Sequence, residues 1–254
     1  FSTPKNFQPF ILVSVITSAA LIPILLTKKK PPTFKKIAAM SLNELYKSSP
    51  FGIVSSFFYG TIQSALFTLL AVYATSMNFT IFEISIVTFL LAISGAIAQF
   101  PVGKISDFYD RRKVIIASTF GAAIFAVFTI FVSGQMYLPD GLATSKTWFY
   151  IFFIFFSFCS LPMFSLILAH TNDYITKDKF VAAGAGLQFV FGLGAISGPF
   201  LCSIFMDIVG SNGFFIFLFF FHSLIGVFGI YRMRIRPTIE NPDSQFVAMP
   251  QTIT

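Results

Sequence analysis

Gly103-Lys-Ile-Ser-Asp-Phe-Tyr-Asp-Arg-Arg-Lys113 carries six formal charges in eleven residues, between the charge-free stretches 84–103 and 114–139. Working outward, five more charge-free stretches appear: 6–27, 48–82, 147–172, 180–206 and 208–231. The shortest of the seven has 20 residues. About 20 apolar residues rising 1.5 Å each cross a hydrocarbon core of roughly 30 Å. The pattern predicts an all-α, polytopic membrane helical bundle. Its spans fall near 7–27, 51–75, 81–101, 112–133, 148–170, 181–206 and 213–231. Spanning strands would need alternating segments of about ten residues, which are absent.

Composition agrees. Hydrophobic residues make up 56% of the chain and charged residues 11%, against about 25% charged in soluble domains. The mean hydropathy is +0.81. The formal net charge of +7 would suggest nucleic acid in a soluble protein. With seven crossings, however, 15 of the 17 Lys and Arg fall on one side, leaving only Lys5 and Lys146 opposite. That asymmetry is the positive-inside rule. It predicts a multi-pass membrane protein with a cytoplasmic carboxyl terminus and no nucleic-acid partner.

Cys159 and Cys202 lie inside apolar spans and read as free thiols behaving like small hydrophobes. No residue spacing suggests a metal site, and no cofactor is expected. The chain opens with Phe and enters an apolar stretch at once, which reads as a fragment starting inside a larger membrane protein. The domains expected are a first helix over 1–27, a cytoplasmic loop over 28–50, a six-helix bundle over 51–231 and a cytoplasmic tail over 232–254. Within the loop, Ser41-Leu-Asn-Glu44 fits a capping box and predicts a short interfacial helix. The turn-rich segment 134–147 reads as an external loop, followed by Trp148 and Tyr150 as interfacial anchors.

In this topology the opening cluster is a short cytoplasmic turn between the third and fourth spans. Its Gly103-x-Ile-Ser-Asp107-x-x-Asp-Arg111-Arg112-Lys resembles the Gly-x-Leu-(Ala/Ser)-Asp-Arg-x-Gly-Arg-(Arg/Lys) signature of the major facilitator superfamily. Phe108 and Asp110 depart from it, standing where the signature has Arg and usually Gly. Further stretches resemble the YcaD-like branch of bacterial transporters. They are Ser49-Pro-Phe-Gly, Gln99-Phe-Pro-Val-Gly-Lys-Ile-Ser-Asp, Ala169-His-Thr-Asn-Asp-Tyr, Gly192-Leu-Gly-Ala-Ile-Ser-Gly-Pro199, Tyr231-Arg and Phe246-Val-Ala-Met-Pro. The resemblance implies the carboxy-terminal half of such a transporter, helices 6 to 12. Residues 1–27 would then be the last helix of a missing amino-terminal half, which becomes the expected protein partner, with membrane lipid and a small-molecule substrate as the others.

By the same resemblance the signature is a cytoplasmic gate of Gly103, Asp107, Arg111, Arg112 and Asp173. Asp107 would meet a helix start in the missing half, and Arg111 would pair with Asp173. The plainer reading, charges that only orient the chain, also stands at this point. It leaves Asp107 and Asp110 unexplained, because carboxylates add nothing to orientation. A second pair of readings concerns Gly194, Gly198 and Pro199: static helix packing, or a seam rocking against the other half. The pattern resembles the Gly-x-x-x-Gly-Pro motif of drug antiporters, but Phe200 and Leu201 do not continue it.

Candidate substrate-cavity residues are Tyr59, Gln63 and Tyr73, which share a helical face with Leu66 and Leu70, together with Ser157 and Ser160 on a weaker stripe. For Gln63, cavity lining and interhelical hydrogen bonding are both open. His222 stands alone in the last span, which in the family faces outward, and is expected to be structural. The function expected is secondary active transport of a small solute by alternating access. The alternatives are a non-transporting receptor or scaffold on the same fold and a membrane-embedded enzyme, for which His170 and Asp173 come nearest to a reactive cluster. No catalytic residues are assigned.

Overall fold

A computed structural model of the chain describes residues 7–27, 39–135 and 142–235. The expectations for residues 28–38 of the basic loop, for 136–141 of the external loop and for 236–254 of the tail lie outside the described residues. What is described forms two units, 7–27 and 39–235, and every described element is helical or a turn.

The first unit departs from the single helix expected over 7–27. It contains α1 (Gln8–Ala19) and a one-turn α2 (Ile22–Leu25). Pro23 accounts for the break, since its ring clashes with the carbonyl four residues back, at Ala19, where α1 ends. At 12 residues, α1 reaches about 18 Å, short of a hydrocarbon core.

The second unit begins with the short α3 (Leu42–Ser48), whose Ser41 side chain accepts from the Glu44 backbone N–H, as the capping pattern predicted. Six spans long and apolar enough to cross a membrane follow among the described residues. They are α4 (Pro50–Ser76), α5 (Ile81–Phe108), α6 (Arg111–Gln135), α7 (Leu142–Ser160) with α8 (Met163–Asn172), α9 (Phe180–Val209) and α10 (Gly213–Ile235). Pro162 breaks the fifth span into α7 and α8, where one helix over 148–170 was expected. Helix α5 also runs further than its expected span of 81–101, continuing to Phe108. Thr80 and Glu83 start α5 with a reciprocal capping box that went unread in the sequence. Trp148 and Tyr150 lie inside α7, with Trp148 exposed and Tyr150 half-buried.

Packing links α9 to α4, α4 to α10, α10 to α6, α6 to α7 and α7 to α5. The closest seam is α4 against α9. A β-carbon at Gly194 would overlap the Phe57 carbonyl oxygen, and one at Gly198 would overlap the Thr61 carbonyl oxygen and Ser64 Oγ. Small residues let helix backbones approach where apolar burial gives no drive, because lipid is equally apolar. Hydrogen bonds fasten the seam: Ser56 Oγ donates to the Leu187 carbonyl at 2.9 Å and Thr61 Oγ1 to the Gly194 carbonyl at 3.2 Å. Gly194 and Gly198 therefore face α4 of the same bundle, and a seam against another half is not where they point. Pro199 lies within the continuous α9.

Candidate functional site

The turn expected between the third and fourth spans is present but narrower than the charged signature. Helix α5 continues to Phe108, so Gly103 and Asp107 are helical, and only Tyr109 and Asp110 separate it from α6. Asp110 starts α6, its Oδ1 accepting the Arg112 backbone N–H at 2.9 Å, as an N-cap carboxylate does. The same carboxylate forms a fork on the Arg112 guanidinium, with Nη2 to Oδ2 at 3.0 Å and Nε to Oδ1 at 3.3 Å. Arg112 is buried, and a buried guanidinium needs such a partner. The departure from the family signature at Asp110 thus has two tasks here, a cap and a counter-ion.

Arg111 lies at the first position of α6 and reaches the carboxyl end of α8. Its Nη1 donates to Asp173 Oδ1 at 2.6 Å and to the Ala169 carbonyl at 2.9 Å, and its Nη2 donates to Asp107 Oδ1 at 3.2 Å. One guanidinium therefore holds α5, α6 and α8 together. It also places a cation against the last carbonyls of α8, where the helix dipole favours positive charge. Burial raises the Asp173 carboxyl above the usual range, and the Arg111 charge opposes that shift without cancelling it. The Arg111–Asp173 contact is the one the resemblance implied, and Arg111 in α6 also reaches Asp107 at the end of α5. The short Tyr109–Asp110 turn keeps Arg111 and Asp107 within reach of each other.

Gly103 is half-buried, and a β-carbon added there would meet nothing within 4 Å. The close helix approach that the signature implies at this glycine is not made by any described residue.

His170 and Asp173 do not form a reactive pair. Asp173 is engaged by Arg111, while the buried His170 ring packs edge-on against Phe51 at 5.2 Å and Tyr174 at 5.0 Å. The amino end of α4 and residues Arg112, His170 and Arg232 surround a cavity of about 20 Å³, room for a single water.

Four of the five cavity candidates are core groups of the bundle. Tyr59 is fully buried and donates to the Leu161 carbonyl at 3.1 Å, beside the Pro162 break. Tyr73 is fully buried in an aromatic cluster, with ring centroids 5.1 Å from Phe214 and 5.0 Å from Phe215. Ser157 donates to the carbonyl of Phe153 at 2.7 Å. Ser160 Oγ meets His222 Nε2 at 3.0 Å, both groups being fully buried. His222 is therefore neither alone nor outward-facing. It ties α10 to α7, and the periodicity of one helix could not show a partner 62 residues away. Gln63 differs: it is half-buried and makes no hydrogen bond among the described residues.

At the opposite end of the bundle, Lys146 Nζ binds Glu83 Oε1 at 2.7 Å and sits over the Phe79 ring. Lys179 Nζ meets Glu44 Oε1 at 2.5 Å, holding α3 to the start of α9.

Comparison with known proteins is consistent with this architecture. The profile of the Major Facilitator Superfamily matches residues 52–250. An uncharacterized MFS-type transporter of Bacillus subtilis, YfkF, is 27% identical over 186 residues, covering 70% of this chain and 44% of that protein. An uncharacterized MFS-type transporter of Yersinia enterocolitica is 23% identical over 235 residues, 92% of this chain and 56% of its own length. YcaD of Escherichia fergusonii, also an uncharacterized MFS-type transporter, is 18% identical over 215 residues, 84% of this chain and 52% of the relative. The chain thus spans about half the length of the curated relatives it matches. No solved structure matches it.

Proposed function

Because this chain belongs to the Major Facilitator Superfamily, we propose that it supplies the carboxy-terminal half of a secondary active transporter moving a small solute across the bacterial inner membrane by alternating access. Residues 1–27 would then belong to the preceding half, and the carboxyl terminus would lie in the cytoplasm.

The observation that carries the reading is the Arg111 bridge. A single side chain joins three helix ends at the basic face through contacts of 2.6, 2.9 and 3.2 Å, and moving any one helix end breaks part of it. Such a bridge serves as a cytoplasmic gate that closes in one state and opens in the other. Asp107 keeps 68% of its side-chain surface exposed and has acceptor capacity left for a partner from the other half. Gln63, half-buried on α4 and without a hydrogen bond among the described residues, is the candidate polar group toward a solute.

The test is transport by the whole protein in proteoliposomes, screened with radiolabelled amino acids, sugars, organic cations and organic anions. One solute class should move with the intact protein, and Arg111→Ala should abolish its movement. Undiminished transport by Arg111→Ala would overturn the gate. A whole protein that moves none of the classes would favour a receptor or scaffold.

A further inference from the structure

Two apolar grooves flank the first turns of α6, and both are lined by Lys113 and Ala117. One, about 500 Å³, lies between α6 and α10, with Ile116, Ile230 and Met233 on its walls and Arg234 at its rim. The other, about 380 Å³, lies between α5, α6 and α7, with Val102, Ile105, Val114 and Phe158 on its walls. Each is far larger than the roughly 30 Å³ share of a water molecule. Charge and apolar surface are separated along the membrane normal. Lys113 is the third residue of α6 and Arg234 the last but one of α10, both exposed, while Ala117 and Ile230 lie one turn further into the spans. Among the described residues, neither cation has a carboxylate partner, whereas the neighbouring Arg111 and Arg112 are both paired. Ala117 is an exposed, low ridge between the grooves.

We propose that this surface binds one anionic phospholipid, its phosphate between Lys113 and Arg234 and its two acyl chains in the two grooves astride Ala117. The geometry selects this occupant on two grounds. Two adjoining grooves under a shared cation match a two-chain lipid. Two cations with no carboxylate partner among the described residues, at the basic end, match a headgroup with net negative charge, the arrangement by which basic pockets between spans hold acidic lipids. The proposal does not depend on the transport reading, since a scaffold on the same fold would present the same surface.

The test is native mass spectrometry of the full chain released from micelles containing equal phosphatidylglycerol and phosphatidylcholine of identical chains. The expected result is one retained lipid, with phosphatidylglycerol preferred. Each near-surface cation contributes about fivefold, so Lys113→Gln with Arg234→Gln should reduce the preference roughly 25-fold. Lys104→Gln, which removes an exposed cation that lines neither groove, should leave it unchanged. Ala117→Phe keeps the charges and fills the ridge, and should lower retention of both lipids.

Equal retention of the two lipids by the unaltered chain overturns the proposal. So does an undiminished preference in the double Gln variant, whose exposed substitutions do not threaten folding. Retention that appears only after residues 237–254 are deleted would assign the grooves to the chain's own tail. Equal binding of glycerophosphoglycerol without acyl chains would show that the grooves play no part.

Discussion

Breaking the Arg111–Asp173 pair tests the central geometry without knowledge of any substrate. Arg111→Ala removes three hydrogen bonds and leaves Asp173 without its cation, whereas Asp173→Asn keeps a neutral acceptor and spares the Ala169 and Asp107 contacts. The side chains are 24% and 36% exposed, so the pair lies between two regimes. Exposed pairs contribute roughly 0.2–1 kcal/mol, and removing one partner of a buried pair costs about 3–5 kcal/mol. The 2.6 Å contact is charge-assisted, which raises a hydrogen bond to about 1.5–3 kcal/mol before solvent screening. A coupling energy of about 1–2 kcal/mol follows. The assay is a double-mutant cycle on unfolding free energy, measured by denaturing-detergent titration of the purified chain. Arg111→Ala should be the more damaging single change. Additivity of the two substitutions to within about 0.3–0.5 kcal/mol would mean that the contact contributes nothing and would refute the reasoning.

Further outcomes follow from other parts of the bundle. Gly194→Ala forces a β-carbon onto the Phe57 carbonyl and should cost about 1–3 kcal/mol in the same titration, whereas Gly192→Ala meets open space and should be neutral or stabilising by up to about 1 kcal/mol. Ser160→Ala removes the partner of His222 Nε2 and should destabilise the chain by roughly 1–3 kcal/mol; an unchanged unfolding midpoint would place water or another group there. Because the Asp173 carboxyl is raised in the folded chain, the folded state holds this proton more tightly than the unfolded one. The stability that this group contributes is therefore fully present at low pH and lost as pH rises from the ordinary Asp value through the raised one. Measured against Asp173→Asn, the unaltered chain should gain relative stability on acidification through that window; a flat difference would contradict it.

Much of the architecture was legible along the chain. Span count in the bundle, the basic face and the family signature are one-dimensional properties, because a hydrocarbon core excludes charge from every residue that must cross it. Six of the seven charge-free stretches each overlap a described span of membrane length. Helix ends were less legible. Charge marks where lipid stops, but α5 continues past Lys104 to Phe108, since backbone hydrogen bonding does not stop at the lipid boundary. Two proline breaks, at Pro23 and Pro162, were masked by the apolar residues around them.

Pairing was decided only in three dimensions. Residue types at helical spacing put Tyr59, Gln63 and Tyr73 on one side of α4, but which of them is sealed depends on the helices packed against that side. Tyr59 and Tyr73 were closed over by α7, α9 and α10, while Gln63 was left accessible. The contact of Ser160 with His222 required two helices to be placed with respect to each other. The sequence by itself determined a basic, apolar membrane protein of its family, with a six-span bundle after one further apolar segment and a charged signature at one end. The resemblance already paired Arg111 with Asp173; the tertiary structure alone decided that the same guanidinium also reaches Asp107 while Arg112 turns inward to Asp110. The physical reason is that a charge's partner is set by distance and desolvation, and neighbours in the fold need not be neighbours along the chain.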